Sequence, residues 1–97
     1  MSKVRFSVFY PSGDDATFDH DYYRDKHVPL CAEAWNPERT EIDKAIDGPY
    51  VAAVHFVFDS QESFGAALGG ERTGEIMADV ANYTNISPVT QTSEIVA

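Results

Sequence analysis

The sequence has 97 residues, enough for one domain with its own hydrophobic core and too few for two. Sixteen acidic residues against seven basic ones give a formal net charge of −9, which argues against nucleic acid or an anionic membrane surface as a partner. No apolar run approaches the roughly 20 residues that a membrane-spanning helix needs. We therefore expect a single domain over residues 1–97 that does not insert into a membrane.

The first residues lead directly into a strand-like alternation and show no secretory signal pattern. The one cysteine, Cys31, excludes an internal disulfide and fits a reducing compartment. We expect the protein to be cytoplasmic.

The first half of the chain is predicted to form a strand and then a helix. Residues 3–10 alternate with a period of two, as a β-strand does, and residues 11–15 end the pattern. The helix has Thr17 or Asp19 as a candidate N-cap. Pro29 lies inside the helical pattern and cannot donate a backbone hydrogen bond, so we expect a kink there.

Residues 18–30 of this helix contain two of the three histidines and two tyrosines. A helical wheel places four residues on the inward face and two on its borders: Tyr23, His27, Leu30 and Ala34, with Asp19 and Cys31. A core helix normally fills such a face with aliphatic side chains. Tyrosine and histidine there imply hydrogen-bond partners inside the protein or a wet pocket.

The second half of the chain is predicted to contain three strands and one interrupted helix. Both faces of the middle strand, residues 50–58, are apolar, so both faces should be covered. The elements in chain order are an edge strand within 38–47, the strand 50–58, a helix from about 59 to 68, a break at Gly69 and Gly70, a helical segment through Ile76, Met77, Val80 and Tyr83, and a last strand from about 89 to 96.

This order predicts an α+β fold, a ferredoxin-like β-α-β-β-α-β sandwich in which both helices pack on one side of a four-stranded antiparallel sheet. The other side of the sheet would then be bare, although the strand 50–58 is apolar on both faces. A second copy resolves the conflict by packing sheet against sheet. We therefore expect a homodimer in which two sheets close a dimeric α/β barrel.

The run from Phe18 to Leu30 resembles the opening motif of the EthD family, named for ethyl tert-butyl ether degradation, within the dimeric α/β-barrel superfamily. The matching pieces are Phe18-Asp19, Tyr22-Tyr23, Lys26-His27 and Pro29-Leu30. Weaker likeness continues through residues 54–60, 64–68, 78–83, 88–89 and 93–94. The resemblance implies the fold given above. It also implies a link to cofactor-independent oxygenases, isomerases, cyclases and haem-handling enzymes, with His27, Tyr23 and Asp19 as motif positions.

His27 is the first candidate for catalysis, because imidazole titrates near neutral pH and can act as a general base. The alternative is a structural histidine bonded to a backbone carbonyl beside Pro29. Tyr23, one turn earlier, is the second catalytic candidate, although a buried tyrosine more often packs and bonds locally. Asp79 could also be catalytic, but its helical position beside alanine and asparagine favours a surface residue.

Ligand-binding candidates are the residues expected near the pocket: Asp19, Leu30, Cys31, Phe56 and His55. Cys31 is interpreted as a buried, unreactive thiol, since no helix N-terminus or basic cluster would stabilise a thiolate. His27 and His55 could together hold a metal or haem, but two histidines without further ligands are poor evidence for either. We expect no metal and no cofactor.

The sequence thus predicts a small homodimeric enzyme with a hydrophobic pocket between the first helix and the sheet. It would act on an apolar or aromatic substrate by proton abstraction or oxygenation without a cofactor. The alternative is a non-catalytic accessory or carrier protein that binds a degradation intermediate or a partner of an oxygenase system.

Overall fold

The protein, which a computed structural model describes over residues 2–97, follows the predicted order of elements. Its strands are β1 Val4–Pro11, β2 Arg39–Lys44, β3 Tyr50–Phe58 and β4 Val89–Glu94. Its helices are α1 His20–Tyr22, α2 Val28–Trp35, α3 Gln61–Leu68 and α4 Thr73–Asp79. A π-helical turn at Tyr23–His27 joins α1 to α2, and a 3-10 turn at Val80–Asn82 follows α4.

The four strands form one antiparallel sheet in the order β2-β3-β1-β4. In the central pair, Phe6 lies opposite Phe56 and Val8 lies opposite Val54. β2 lies at an edge, as its charged residues predict. The predicted α+β, ferredoxin-like β-α-β-β-α-β fold is therefore confirmed.

The hydrophobic core lies between one face of the sheet and the helices. Alternate residues of β1 and β3 form its sheet side, because successive side chains in a strand point to opposite faces. The buried members are Tyr10, Ala52, Val54, Phe56 and Phe58 from the strands, and Tyr23, Val28, Cys31, Ile76 and Tyr83 from the helical regions. This helix-facing side of the sheet is rich in aromatic residues and carries the candidate site.

The opposite face of the sheet is partly covered by the chain itself. Ala53 and Val57 of β3 point to this face, yet they are only 7% and 3% exposed. The in-register neighbours of Val57 are Arg5 and Arg39, and the apolar stems of arginine side chains can cover a smaller neighbour. The sequence predicts a second copy because both faces of β3 are apolar. Since the chain itself partly covers the second face, those two faces do not by themselves require a second copy.

The first helical region is not one regular helix. Val28 donates its backbone N–H to the carbonyl of Tyr23, five residues earlier, which defines the π-helical turn. Pro29 follows in the first turn of α2, where a residue without an N–H is tolerated. The sequence predicts a kink at Pro29, whereas the structure has a wider turn just before it. Such π turns are rare and occur frequently at functional sites.

Asp19 caps this helical region, because its Oδ1 accepts a hydrogen bond from the backbone N–H of Tyr22 at 3.0 Å. Replacing Asp19 with alanine should lower the free energy of unfolding by about 1 kcal/mol, since that N–H loses its partner. Asp19→Asn keeps an accepting oxygen and should cost far less. Urea denaturation measures both changes, and an alanine variant as stable as the wild type would contradict the capping role.

Candidate functional site

A cavity of about 440 Å³ lies between the helices and the helix-facing side of the sheet. This volume is within the range of roughly 300–1,000 Å³ that ligand pockets occupy. Its lining is mostly apolar, with prominent contributions from Phe6, Val54, Phe56, Trp35, Ile76 and Val80. The sequence predicts a pocket between the first helix and the sheet, and this cavity occupies that position.

The π-helical turn carries Tyr23 and His27 to the cavity. Both side chains are buried, and both line it. Their rings stack nearly parallel, with centroids 5.6 Å apart and an interplanar angle of 16°. The ring of Tyr83 contacts His27 from another side at a centroid distance of 4.5 Å. Packing on two sides fixes the orientation of the imidazole.

Asp79, at the end of α4, is the hydrogen-bond partner of His27. Its Oδ2 lies 2.9 Å from Nδ1 of His27. Its Oδ1 accepts from the hydroxyl of Tyr22 at 2.8 Å and from Nδ2 of Asn82 at 2.9 Å. Three donors therefore hold this carboxylate in place, and it links the first helical region to the end of α4.

This pairing determines which nitrogen of His27 is available. A carboxylate only accepts hydrogen bonds, so Nδ1 carries the proton and Nε2 has the free lone pair. Within residues 2–97, no hydrogen-bond partner is found for Nε2. An imidazole that is held at one nitrogen and free at the other has the geometry of a general base.

The protonation states fit this role. Burial lowers the pKa of His27 below its ordinary value of 6.5, although the hydrogen bond and the negative charge of Asp79 oppose the shift. For Asp79, partial burial raises the pKa, but the hydrogen bonds from Asn82, His27 and Tyr22 outweigh it and leave the pKa below 3.8. At neutral pH the imidazole is therefore neutral and the carboxylate is ionised.

Three tyrosines cluster beside His27. The hydroxyls of Tyr10 and Tyr83 are 2.7 Å apart and bond to each other. The hydroxyl of Tyr23 is fully buried, and although it interacts with the nearby hydroxyl of Tyr10, it makes no hydrogen bond of good geometry within residues 2–97. Burial raises the pKa of Tyr23 and of Tyr83 well above 10, so both remain protonated and can only donate or accept as neutral phenols.

Replacing Tyr23 with phenylalanine should leave the protein equally stable or make it more stable by about 1–2 kcal/mol, because the change removes a buried hydroxyl without a partner. The matched control is Tyr10→Phe, which breaks the bond to Tyr83 and should destabilise. Thermal denaturation of both variants makes the comparison. A clear loss of stability in Tyr23→Phe would mean that its hydroxyl is bonded after all.

Cys31, one helical turn after His27, also lines the cavity. Its side chain is buried, and burial raises its pKa to about 12. It is a neutral thiol at neutral pH, as the sequence predicts, and not an activated nucleophile.

Comparison with solved structures identifies the family. The chain is 36% identical to an EthD-like protein from Ralstonia eutropha JMP134, with a TM-score of 0.91, and the match covers 100% of this chain and 95% of that one. The chain belongs to the EthD family. The resemblance found in residues 18–30 is thereby confirmed.

Other solved structures share the fold with this EthD-family protein. An ethyl tert-butyl ether D (EthD) family protein from Bacillus halodurans C-125 is 14% identical, with a TM-score of 0.77 and coverage of 97% and 99%. A dimeric protein of ferredoxin-like fold from Bacteroides fragilis NCTC 9343 is 12% identical, with a TM-score of 0.69 and coverage of 98% of each chain. No profile of a protein family and no curated protein sequence matches the chain.

The structure brings four of the predicted site residues of this EthD-family protein together. His27, Tyr23, Cys31 and Phe56 all line the cavity. Leu30 packs at the edge of the core and is not among the lining residues. The π turn explains why Cys31 lines the cavity and Leu30 does not. It adds one residue to the helical turn and so rotates Cys31, in place of Leu30, onto the inward face.

Asp19 and His55 lie away from the cavity. Asp19 is the exposed helix cap described above. His55 is on the opposite face of the sheet, where its Nδ1 is 2.7 Å from Oγ of Ser7 and its Nε2 is 2.9 Å from Oδ2 of Asp43.

The row Ser7, His55 and Asp43 has the residue types of a hydrolytic triad but lacks a site for an oxyanion. Ser7 lies in β1, which pairs with β3 on one side and β4 on the other, so the backbone N–H groups there are already used. We interpret Ser7, His55 and Asp43 as a structural group whose side chains are hydrogen-bonded to one another.

Asp79, a catalytic candidate that the sequence pattern places on the surface, contributes to the site. It lies 52 residues after His27, and the sequence favours a surface position for it. Its side chain is in fact mostly buried, at 16% exposure. The only available signal was its place in the second half of the EthD resemblance, within residues 78–83.

Among residues 2–97, His, Cys, Asp and Glu side chains form no group of three or more that could hold a metal ion. Over the same range, none of the helices has the length and apolar character needed to cross a membrane.

Proposed function

We propose that this EthD-family protein is an enzyme that binds an apolar, aromatic substrate in the cavity and abstracts a proton from it with His27. The observation that carries the proposal is the state of that imidazole. Its Nδ1 is bonded to Asp79, while Nε2 has no partner within residues 2–97 and belongs to a residue that lines a mostly apolar cavity. A base in this setting can accept a proton only from a bound molecule or from water.

Asp79 would make proton abstraction easier. When Nε2 gains a proton, the imidazolium that forms has a carboxylate 2.9 Å from its other nitrogen. Opposite charges at that distance in partly buried surroundings stabilise each other more than they would in water. Tyr23 would contribute through its unbonded hydroxyl, as a donor to an oxygen of the substrate.

The proposed step breaks a C–H or O–H bond of the substrate and forms an N–H bond at Nε2. The electron pair stays on the substrate as a carbanion, enolate or phenolate. Return of the proton to another atom gives an isomerisation. Alternatively, dioxygen adds to the carbanion and takes the proton back from His27, giving a hydroperoxide in which carbon is oxidised and dioxygen is reduced.

Binding can be tested with N-phenyl-1-naphthylamine, a neutral dye that fluoresces in apolar surroundings. We expect its emission to rise with the wild type and to stay low with Val80→Trp, which fills the cavity. Ile46→Trp, on a fully exposed side chain, is the matched control. Equal dye binding by Val80→Trp would exclude this cavity as the site.

Turnover separates the enzyme from the alternative of a carrier. Indanone, an enolisable aromatic ketone, exchanges its α-hydrogens with deuterated water when a base removes them. We expect the wild type to speed this exchange, as measured by proton NMR. A protein that binds the dye and the ketone but leaves the exchange rate unchanged would be a carrier, and the enzymatic proposal would fail.

We also propose that two copies pair through the sheet face opposite the helices. That face carries an apolar group formed by half-buried Phe9 and exposed Tyr50 and Val89, in which the rings of Phe9 and Tyr50 are 5.1 Å apart. A solved structure of the same fold is described as dimeric. Light scattering at micromolar concentration should give twice the chain mass of 10.7 kDa. A single-chain mass would contradict the dimer.

A further inference from the structure

The cavity lining contains no permanently charged side chain, although the protein has sixteen acidic and seven basic residues. None of the residues that line it is a lysine, arginine, aspartate or glutamate. The lining residues with polar side-chain groups are His27, Cys31, Tyr10, Tyr23, Trp35, Thr73 and Thr90, and the indole N–H of Trp35 is bonded to Thr73. No permanent charge is therefore available to pair with a charged ligand.

A ligand that arrives with a charge would lose its hydration and gain no counter-ion. Burial of an unpaired ion is costly even in partly wet protein interiors, whereas a neutral ligand carries no such cost. Asp79 lies behind His27 and adds a negative potential that opposes a carboxylate or phosphate further.

His27 is the one lining group that can change its charge near neutral pH. The groups that face it are Asp79 from α4, Tyr83 after the 3-10 turn, and Tyr23 on its own helical region. Asp79 carries the only charge among these three. Because Nε2 is an acceptor, it selects a ligand that offers a proton.

We infer that the ligand enters uncharged and presents one acidic O–H or C–H group to Nε2 of His27. This inference rests on the proposed function and specifies its substrate class: neutral phenols and enolisable ketones are accepted, while carboxylates and phosphates are excluded. In the complex the ligand donates a hydrogen bond to Nε2. Transfer of that proton leaves the electron pair on the ligand and forms the imidazolium of His27, whose positive charge lies between the ligand and Asp79.

Three probes with one skeleton test the inference: 4-nitrophenol, which has the acidic O–H; 4-nitroanisole, in which a methyl group replaces that proton; and 4-nitrobenzoate, a permanent anion. At about pH 6.5, where 4-nitrophenol is mostly uncharged, we expect it to bind about tenfold or more tightly than either of the others, because it alone offers a donor to Nε2 without a buried charge. In His27→Leu, which offers no hydrogen-bond acceptor, this advantage over 4-nitroanisole should shrink, with 4-nitroanisole itself little changed.

A gain of binding gives a second, independent test. Thr90 lines the cavity from the exposed edge strand β4, so Thr90→Lys adds a cation beside it. This variant should bind 4-nitrobenzoate about tenfold more tightly than the wild type, since the carboxylate gains a partner. Thr90→Gln, of similar length and without charge, should not.

The outcomes distinguish the two proposals. If the wild type binds 4-nitrobenzoate as tightly as 4-nitrophenol, or 4-nitroanisole as tightly as 4-nitrophenol, the inference about charge and proton donation is overturned while the cavity remains a binding site. If none of the probes binds and N-phenyl-1-naphthylamine also fails, the proposed function itself is wrong.

Discussion

Replacing His27 with glutamine should lower the rate of proton abstraction by about 10²–10⁴-fold, the usual contribution of a positioned general base. Glutamine can still donate to Asp79 but has no basic nitrogen facing the cavity. Deuterium exchange of indanone measures the effect. Because burial holds the pKa of His27 below 6.5, the neutral and active imidazole should persist in the wild type down to a pH below that value, and the rate should fall only at lower pH.

Two further variants show whether the effect is specific. Asp79→Asn removes the charge that stabilises the imidazolium and should also lower the rate, although His27 is intact. His55→Gln changes a histidine on the far face of the sheet and should leave the rate unchanged. A His27→Gln variant with the full wild-type rate would refute the role of His27 as the base.

Replacing Phe56 with alanine should lower the free energy of unfolding by about 3–5 kcal/mol, a large fraction of the stability of a domain this size. Phe56 is 1% exposed, and its ring packs edge-on against Trp35 at a centroid distance of 5.2 Å and stacks with Phe6 at 6.4 Å. Because the lost side chain lies between the sheet and α2, the surrounding residues cannot close the space fully.

Urea denaturation with a two-state fit measures this loss. Phe56→Leu retains most of the apolar volume and should cost clearly less than Phe56→Ala. Phe56 also lines the cavity, so the alanine variant should still bind small apolar probes if it folds. A cost below about 1 kcal/mol for Phe56→Ala would mean that this region is loosely packed and that the core assignment is wrong.

The positions of the strands along the chain could be predicted because they depend on local patterns of apolar and polar residues. The alternation of residues 3–10 and the apolar run of residues 50–58 match β1 Val4–Pro11 and β3 Tyr50–Phe58 closely. The inward position of His27 also follows from helical periodicity, and its side chain is buried.

The details of the site depend on contacts that cannot be predicted from the periodicity of the sequence. The π turn at Tyr23–His27 shifts the helix register, so Cys31 lies on the inward face where a regular helix would place Leu30. Asp79 reaches His27 only because the fold brings α4 beside the first helical region. Neither a wider turn nor a contact across 52 residues leaves a pattern in one sequence.

The pairing of His27 with Asp79 serves the fold and the proposed chemistry together. The carboxylate accepts hydrogen bonds from Tyr22, His27 and Asn82, so it holds the end of α4 against the first helical region. The same contacts fix the tautomer of the imidazole. Stability and basicity of this site should therefore change together when Asp79 is altered.

The most direct test of the account is an NMR titration of His27 through its ring nitrogens, assigned by comparison with His27→Gln. We predict the Nδ1-protonated tautomer at neutral pH and a pKa below 6.5, with the pKa falling further in Asp79→Asn. A pKa above 6.5 would mean that Asp79 outweighs burial at this site and would contradict the account of its protonation. A proton on Nε2 would mean that Nε2 has no free lone pair, and the proposed base would have to be abandoned.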